Sequence, residues 1–311
     1  MTHCLACLGP VKGDAPVDQY HPRCARRLFG STRIPRADDA LVAAIGAIEV
    51  AVDDRTARPR GRPAITVGIS PDKRRLSTWP EAGQFALKIQ SIDLPQLPEN
   101  ELLTMRLSEM VGVEIPPCGL VRLADGSLAC LVRQFEVLGP GENRRREDFR
   151  TLTREFLTAT PDDSAELCAG IARRHASEPL VALLKLYRLF VAAWWTGNGG
   201  LRLEDFAFDT GPDGLRSLAP ARDLVCTRLV TSDDRLGLPV GGKRGHLTRA
   251  DWVRFSDTCG LRPRIVERVL DRVISSFDEA LELISGSFLS DDRKILYAEM
   301  LGRHTARLEE G

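Results

Sequence analysis

The spacing of apolar residues changes period twice along this chain. Over residues 38–52, Leu41, Ile45 and Ile48 recur at helical spacing until Asp53-Asp54-Arg55 and an Arg/Pro/Gly run reaching Pro63 break the pattern, which predicts a short helix followed by a linker. From 64 to 137 the apolar residues gather in short β-rich runs. Their spacing predicts strands over 65–69, 85–89, 119–123 and 128–132, with one helix over 99–111. Past Gly139-Pro140-Gly141 the period returns to three and four. Ser177 is a candidate N-cap for a helix with Pro179 in its first turn and Leu183, Leu186, Tyr187, Phe190 and Trp194 along it. Thr248, with Asp251 three residues on, marks the start of another. Val266, Val269, Leu270, Val273, Ile274, Phe277, Leu281 and Ile284 predict a single amphipathic helix over 264–285.

Those elements imply an α+β protein in which a small sheet with one helix precedes a mostly helical region. A chain of 311 residues with 43% hydrophobic content can bury one large core or two smaller ones, and two lobes are expected. Forty-three basic and forty-three acidic residues cancel, so the overall charge makes no case for direct nucleic-acid binding. The local basic runs 58–62 and 144–146 are expected to be solvated loops. The apolar run 189–195 falls well short of the roughly 18 residues a membrane span needs, and the first residues lack a basic-then-apolar leader pattern, so a cytoplasmic protein is expected.

Cysteine usage divides in two. Cys118, Cys130, Cys168, Cys226 and Cys259 are scattered among apolar neighbours and are expected to be small buried hydrophobes in a reducing compartment. The other three cluster near the front as Cys4-Leu5-Ala6-Cys7 and His21-Pro22-Arg23-Cys24, separated by a loop rich in turn residues. Two ligand pairs of this spacing suit one tetrahedral zinc, which takes Cys and His donors at about 2.0–2.3 Å. Four protein ligands would leave no open position, so the expected role of Cys4, Cys7, His21 and Cys24 is structural. His3, beside Cys4, is an awkward chelator. The lone histidines His175, His246 and His304 are expected at the surface.

The most informative stretch is Gly197-Asn198-Gly199-Gly200-Leu201-Arg202-Leu203-Glu204-Asp205-Phe206, followed after a connector by Pro220-Ala221-Arg222-Asp223-Leu224-Val225. Upstream lie Gln84-Phe85-Ala86-Leu87-Lys88, then Pro98-Glu99-Asn100-Glu101 leading to Gly112-Val113-Glu114-Ile115-Pro116, and Val132-Arg133-Gln134-Phe135-Glu136; downstream lies Leu238-Pro239-Val240-Gly241-Gly242-Lys243. In this order, over about residues 63–262, the chain resembles the HipA family, kinase-fold toxins of bacterial toxin–antitoxin pairs, and especially its short form, HipT. Some short HipA-like chains resemble it at the start too, with a similar Cys/His pattern before a Phe-Gly pair, here Phe29-Gly30.

The resemblance implies a two-lobed, protein-kinase-like fold with a small β-rich N-lobe and a mostly helical C-lobe. The expected divisions are a Cys/His knuckle at 1–31, a helix and linker at 32–62, the N-lobe at 63–138 and the C-lobe at 139–311. It implies that Lys88 contacts ATP, that Phe135 lies in the lobe-connecting hinge, and that Asp205 and Asp223 hold magnesium. It also implies an antitoxin partner with a DNA-binding helix-turn-helix. Two departures stand out. The phosphate loop is lengthened, so that only Gly68, Pro71 and one of Lys73, Arg74 or Arg75 match it. Gly200 occupies the place of the catalytic Asp, which in kinases accepts the proton of the substrate hydroxyl.

Glycine has no side chain with which to do that, and Arg202 stays charged at any relevant pH, which leaves Glu204 as the candidate substitute base. The expected function is a pseudokinase with partial ATP and magnesium binding. The alternatives are an active Ser/Thr kinase or nucleotidyl transferase using another base, and a non-catalytic interaction module.

Overall fold

The computed structural model describes residues 2–11, 19–37, 41, 64–78, 83–91, 94–134, 145–153, 162–231 and 235–310. The helix and linker expected over 38–63, apart from Leu41, therefore lie outside the described residues, as do Phe135, the 58–62 run and Arg144. Two compact units emerge: one made of Met1–Leu103, Pro116–Val137 and Leu283–Ser290, the other of Thr104–Ile115, Leu138–Glu282 and Asp291–Gly311.

The first unit is built on six strands, β1 (Arg36–Ala37), β2 (Ile65–Ile69), β3 (Arg75–Thr78), β4 (Phe85–Lys88), β5 (Cys118–Arg122) and β6 (Leu128–Arg133). They form one sheet in the order β1-β3-β2-β4-β6-β5, antiparallel except for the β1–β3 pair. Val67, Leu76, Phe85, Leu87, Leu120, Ala129, Cys130 and Leu131 are buried, which is why the apolar runs hold their register. All four strands expected from the sequence are present to within a residue. β3 was not expected, because its Arg-Leu-Ser-Thr run buries a single large residue, Leu76, and becomes a strand only by pairing with β2. A short helix, α1 (Pro22–Phe29), precedes the sheet, and α2 (Leu97–Met110) follows β4.

Helices dominate the second unit: α3 (Phe149–Thr153), α4 (Ala165–His175), α5 (Pro179–Trp195), a 3-10 turn at Leu203–Asp205, α6 (Arg228–Thr231), α7 (Arg249–Cys259), α8 (Pro263–Ser275), α9 (Phe277–Ser285) and α10 (Asp291–Glu309). They surround a core of fully buried aromatic rings, Tyr187, Phe190, Trp194, Trp195, Trp252 and Tyr297. Three short strands, β7 (Arg145–Asp148), β8 (Ala207–Thr210) and β9 (Arg216–Leu218), make a second sheet in the order β7-β8-β9. No helix among the described residues is long and apolar enough to cross a membrane.

Several expectations change here. The helix expected over 264–285 is two helices broken at Ser276, where the Ser276 hydroxyl bonds back to Arg272 O at 2.7 Å and competes with the backbone ladder. Ser177 does not cap α5: Glu178 is the N-cap residue, and Ser177 instead exchanges bonds with Arg216, donating its N–H at 3.0 Å and accepting from the Arg216 N–H at 2.9 Å. Arg145 and Arg146 belong to a strand rather than a loop, and Arg146 forms a two-pronged pair with Asp209 at 2.8 and 3.0 Å. His304 is buried, stacked on Trp194 at 4.7 Å with Nδ1 3.1 Å from Trp195 O, so it is a core residue rather than a surface one. The five scattered cysteines are buried as expected.

Thr248 and Asp251 begin α7 as the sequence indicates: the Asp251 carboxylate accepts from the Thr248 N–H at 2.9 Å and its hydroxyl at 3.0 Å, and pairs with Lys243 at 2.8 Å and with Arg254. Burial pushes this carboxyl up, but the Lys243 ammonium, the Thr248 donors and Arg254 outweigh it and bring its pKa down to about 2. A carboxyl depressed in the folded state contributes stability that is complete above its ordinary pKa and is lost as pH falls through about 2. Asp251→Asn should therefore lower the melting temperature at pH 7, by roughly 2–4 °C for each kcal/mol lost. Thermal denaturation followed by circular dichroism should show the gap to the native protein closing between pH 4 and pH 2; a gap independent of pH would contradict this role.

Candidate nucleotide site and metal centre

In the first unit, β4 presents Lys88 and α2 presents Glu101, and the two form a direct ion pair. Their side chains are 18% and 4% exposed, so the pair is largely withdrawn from water and each charge depends on the other. Gln90, two residues past Lys88, bonds Glu99 at 2.8 Å and Leu128 O at 3.1 Å, tying the end of β4 to the start of α2 and to β6. Glu101 is a candidate site residue to which the sequence alone assigns no role. The usable signal was an acidic residue in the first turns of the helix that follows the lysine strand, since kinases place such a pair there.

The expected phosphate loop is the β2–β3 turn. Gly68 lies inside β2, paired with Ser77, and so does not occupy the turn itself. The turn is closed by Ser70: its N–H and hydroxyl meet Arg75 O (2.9 Å) and Asp72 Oδ1 (2.5 Å), and its Oγ accepts from the Arg75 N–H at 3.0 Å. Ser70 holds the Asp72 carboxyl below its ordinary pKa. Pro71, Lys73, Arg74 and Arg75 are exposed.

In the second unit, α5 ends where the expected catalytic loop begins. Gly197 takes φ 68°, the left-handed region that terminates helices, and the Asn198 N–H reaches back to Ala193 O at 2.7 Å. The loop then runs against backbone. A Cβ on Gly199 would overlap Arg235 O and come within 2.9 Å of Thr227 Oγ1; one on Gly237 would overlap Leu201 O; one on Gly197 would meet Met300. Thr227 ties the crossing together, since its N–H and hydroxyl donate to Gly197 O (2.9 and 3.1 Å) and its Oγ1 accepts from the Gly199 N–H (3.1 Å). Asn198 is 2% exposed, and its Oδ1 accepts from the Gly200 N–H at 3.2 Å.

Gly200 differs from its neighbours. A Cβ there would sit 3.5 Å from Asn198 Oδ1 and 3.6 Å from Thr227 Cγ2, both ordinary contacts, and its φ is not in the left-handed region. Asp205 ends the 3-10 turn with its Oδ2 accepting from the Arg202 N–H at 2.7 Å, which orients the carboxylate. Glu204 is turned to Arg150 at 3.3 Å, and Arg150 also holds Asp163. Asp223 takes φ 62°, a left-handed conformation that is uncommon for residues with a side chain and costs of order 1–3 kcal/mol. Its carboxylate is half exposed and 3.7 Å from the Arg222 guanidinium.

The front of the chain brings the four expected ligands together: one donor atom each from Cys4, Cys7, His21 and Cys24, all within 4.8 Å of one another. A hydrogen bond from Cys7 lowers the Cys4 thiol to about 4; that same contact pushes Cys7 up, and burial pushes Cys24 up. His21 Nε2 lies 3.0 Å from Pro10 O. A carbonyl can only accept, so Nε2 carries the hydrogen, and in the neutral ring the lone pair is on Nδ1. Nδ1 is the atom that faces Cys7 Sγ (3.2 Å) and Cys24 Sγ (3.9 Å).

The fold is that of kinase-like proteins. HipA from Shewanella oneidensis MR-1, solved as a toxin–antitoxin complex with HipB and operator DNA, superposes with a TM-score of 0.63 at 17% identity over 86% of this chain and 71% of its own. The Helicobacter pylori proinflammatory kinase CtkA does so at 0.56 and 14%, over 78% and 94%. A Haemophilus influenzae protein that bears the name "Putative kinase" is 23% identical over 238 residues, 67% of this chain and 69% of that protein. Residues 65–281 match the HipA-like C-terminal domain, and the chain belongs to that family.

The glycines of the loop make a sharp steric contrast. Gly199→Ala should destabilise the protein by about 1–3 kcal/mol, since backbone carbonyls cannot move aside as a flexible side chain can. Gly200→Ala should leave stability within about 0.5 kcal/mol of the native value. Urea denaturation of the two variants side by side tests this, and equal losses would contradict it.

Proposed function

We propose that this chain is a HipA/HipT-like kinase-fold protein of a toxin–antitoxin pair that keeps part of its ATP and magnesium binding and has lost ordinary phosphotransfer, acting as a pseudokinase. Gly200 carries this reading. It offers no group to orient an incoming hydroxyl or to accept its proton, and the nearest candidate substitute, Glu204, is engaged by Arg150. Loss of a positioned base costs about 10²–10⁴ in rate.

Part of the expected nucleotide-binding set is in place. Lys88, paired with Glu101, is the group that would meet phosphate oxygens, and Asp205 and Asp223 supply the hard carboxylate oxygens that magnesium prefers. Magnesium, when bound with ATP, neutralises phosphate charge. The Arg202 amide orients Asp205, and the left-handed backbone at Asp223 sets the direction of its carboxylate. An antitoxin with a DNA-binding helix-turn-helix is the proposed partner, in keeping with the HipB complex of the Shewanella relative. The balanced charge favours no direct contact between this chain and nucleic acid.

A second reading, a slow kinase or a nucleotidyl transferase, draws on two observations. The ion pair and the strained Asp223 both cost stability to keep, and a protein with no nucleotide chemistry gains nothing from them.

Incubation with magnesium and ATP labelled at either the α- or the γ-phosphate separates the two. ATP and magnesium should raise the melting temperature of the native protein, and Asp223→Asn, which tolerates the same backbone, should abolish that rise. Transfer of the γ-label should be near background and should increase by about 10² in Gly200→Asp, where a Cβ meets only ordinary contacts. Strong γ-transfer by the native protein that disappears in Asp223→Asn would overturn the pseudokinase reading, and transfer of the α-label would select nucleotidyl transfer.

A further inference from the structure

The N-terminal Cys/His cluster is not used by any step above, yet it is built with care. Its loop carries Leu8 at φ 61°, an uncommon conformation for a large apolar side chain, and Leu8 is buried. The Cys4 N–H donates to Gly9 O at 2.8 Å and the Leu8 N–H to Cys4 O at 3.0 Å, which curls Cys4 and Cys7 towards one point. Cys24 sits in the first turn of α1, where the unpaired amides of a helix N-terminus favour a thiolate. His21, the residue before that helix, has Nε2–H committed to Pro10 O, so its Nδ1 lone pair is directed among the sulfurs. Regular tetrahedral zinc coordination at about 2.3 Å spaces its sulfurs roughly 3.8 Å apart, which fits within the 4.8 Å that bounds the four donor atoms here.

The same segment lies along the open edge of the sheet. β5 is the last strand in the order, paired only with β6, and its outer side would otherwise expose backbone donors and acceptors. The Leu120 N–H donates to Leu5 O at 2.7 Å, and the Tyr20 hydroxyl donates to Leu120 O. Gly119 is required by this close approach: a Cβ there would stand 2.8 Å from the Tyr20 hydroxyl and 3.2 Å from Leu5 O. Leu5 and Tyr20 lie between the two ligand pairs or beside them, so whatever joins Cys4-Cys7 to His21-Cys24 also holds both contacts on β5.

We propose that Cys4, Cys7, His21 and Cys24 bind one zinc ion, and that this ion is a structural clamp that seals the β5 edge of the sheet. The donor set of three sulfurs and one imidazole selects zinc over magnesium or calcium, whose ligands are oxygens. With four protein donors the ion has no open position and takes no part in catalysis.

Metal analysis of the purified full chain should find close to one zinc per chain. Cobalt substitution should give a thiolate-to-metal charge-transfer band and tetrahedral d–d bands. Cys24→Ser should lose the metal, while Cys259→Ala, a buried cysteine elsewhere, should keep it. The clamp is read separately on the native protein, which avoids dependence on a variant that fails to fold. Chelation should speed hydrogen exchange at the Leu120 amide by about tenfold or more and leave the Leu87 amide in β4 unchanged. Absence of zinc together with no cobalt spectrum, or iron in its place, would overturn the site; loss of zinc with no change at Leu120 would overturn the clamp.

Discussion

Backbone lying directly on backbone holds the centre of the second unit in place. Gly199 and Gly237 bring the loop at 197–201 and the segment at 235–237 so close that neither position has room for a methyl group, and Thr227 closes the crossing with three hydrogen bonds. Such a contact has no slack, because carbonyl groups cannot rotate out of the way as side chains do. The loop's direction, and therefore where Gly200 and Asp205 stand, follows from it. Gly197 adds the helix-ending turn that delivers α5 into this crossing.

This constraint explains Gly199 and Gly237, where a Cβ would meet backbone carbonyls; Gly197 is set instead by its left-handed backbone and the Met300 side chain, and Gly200 is left unexplained by packing. Gly200 has room, an ordinary backbone conformation and only moderate neighbours. A Cβ at this position is thus not excluded by the fold. The contrast with the first unit is informative: there the Lys88–Glu101 pair is kept, although a buried ion pair is a weak source of stability and is strongly destabilising if either partner is lost. In the proposed reading, the chain keeps groups suited to holding a nucleotide and lacks the one that would use it.

At the other end of the chain a different kind of constraint operates. Among the described residues, the N-terminal segment buries Leu5, Leu8, Tyr20, Leu28 and Phe29, and its three thiols and one imidazole cluster where its two halves meet. Small segments of this sort depend on cross-links because their cores are too small to offset chain entropy. Here the segment also covers a strand edge, so its order and the sheet's protection are coupled through Leu5, Tyr20 and Leu120.

Short β-rich apolar runs and a three-to-four period were enough to locate β2, β4, β5, β6, α2 and α5, and the Thr248–Asp251 cap marked the start of α7. The Cys/His pairs were equally legible, because ligand spacing is a local property of the chain. β3, β7, β8 and β9 were not, as their polar residues become strands only through partners far away in sequence. Glu101 needed β4 beside α2 before it could be seen as the counter-charge of Lys88, and Glu204 needed Arg150, more than fifty residues upstream, before its direction was known. His304 looked solitary until the core placed Trp194 and Trp195 around it. Local pattern encodes which backbone forms and which donors sit close along the chain; long-range packing alone decides which charges meet, because those pairings join segments whose separation no local rule can read.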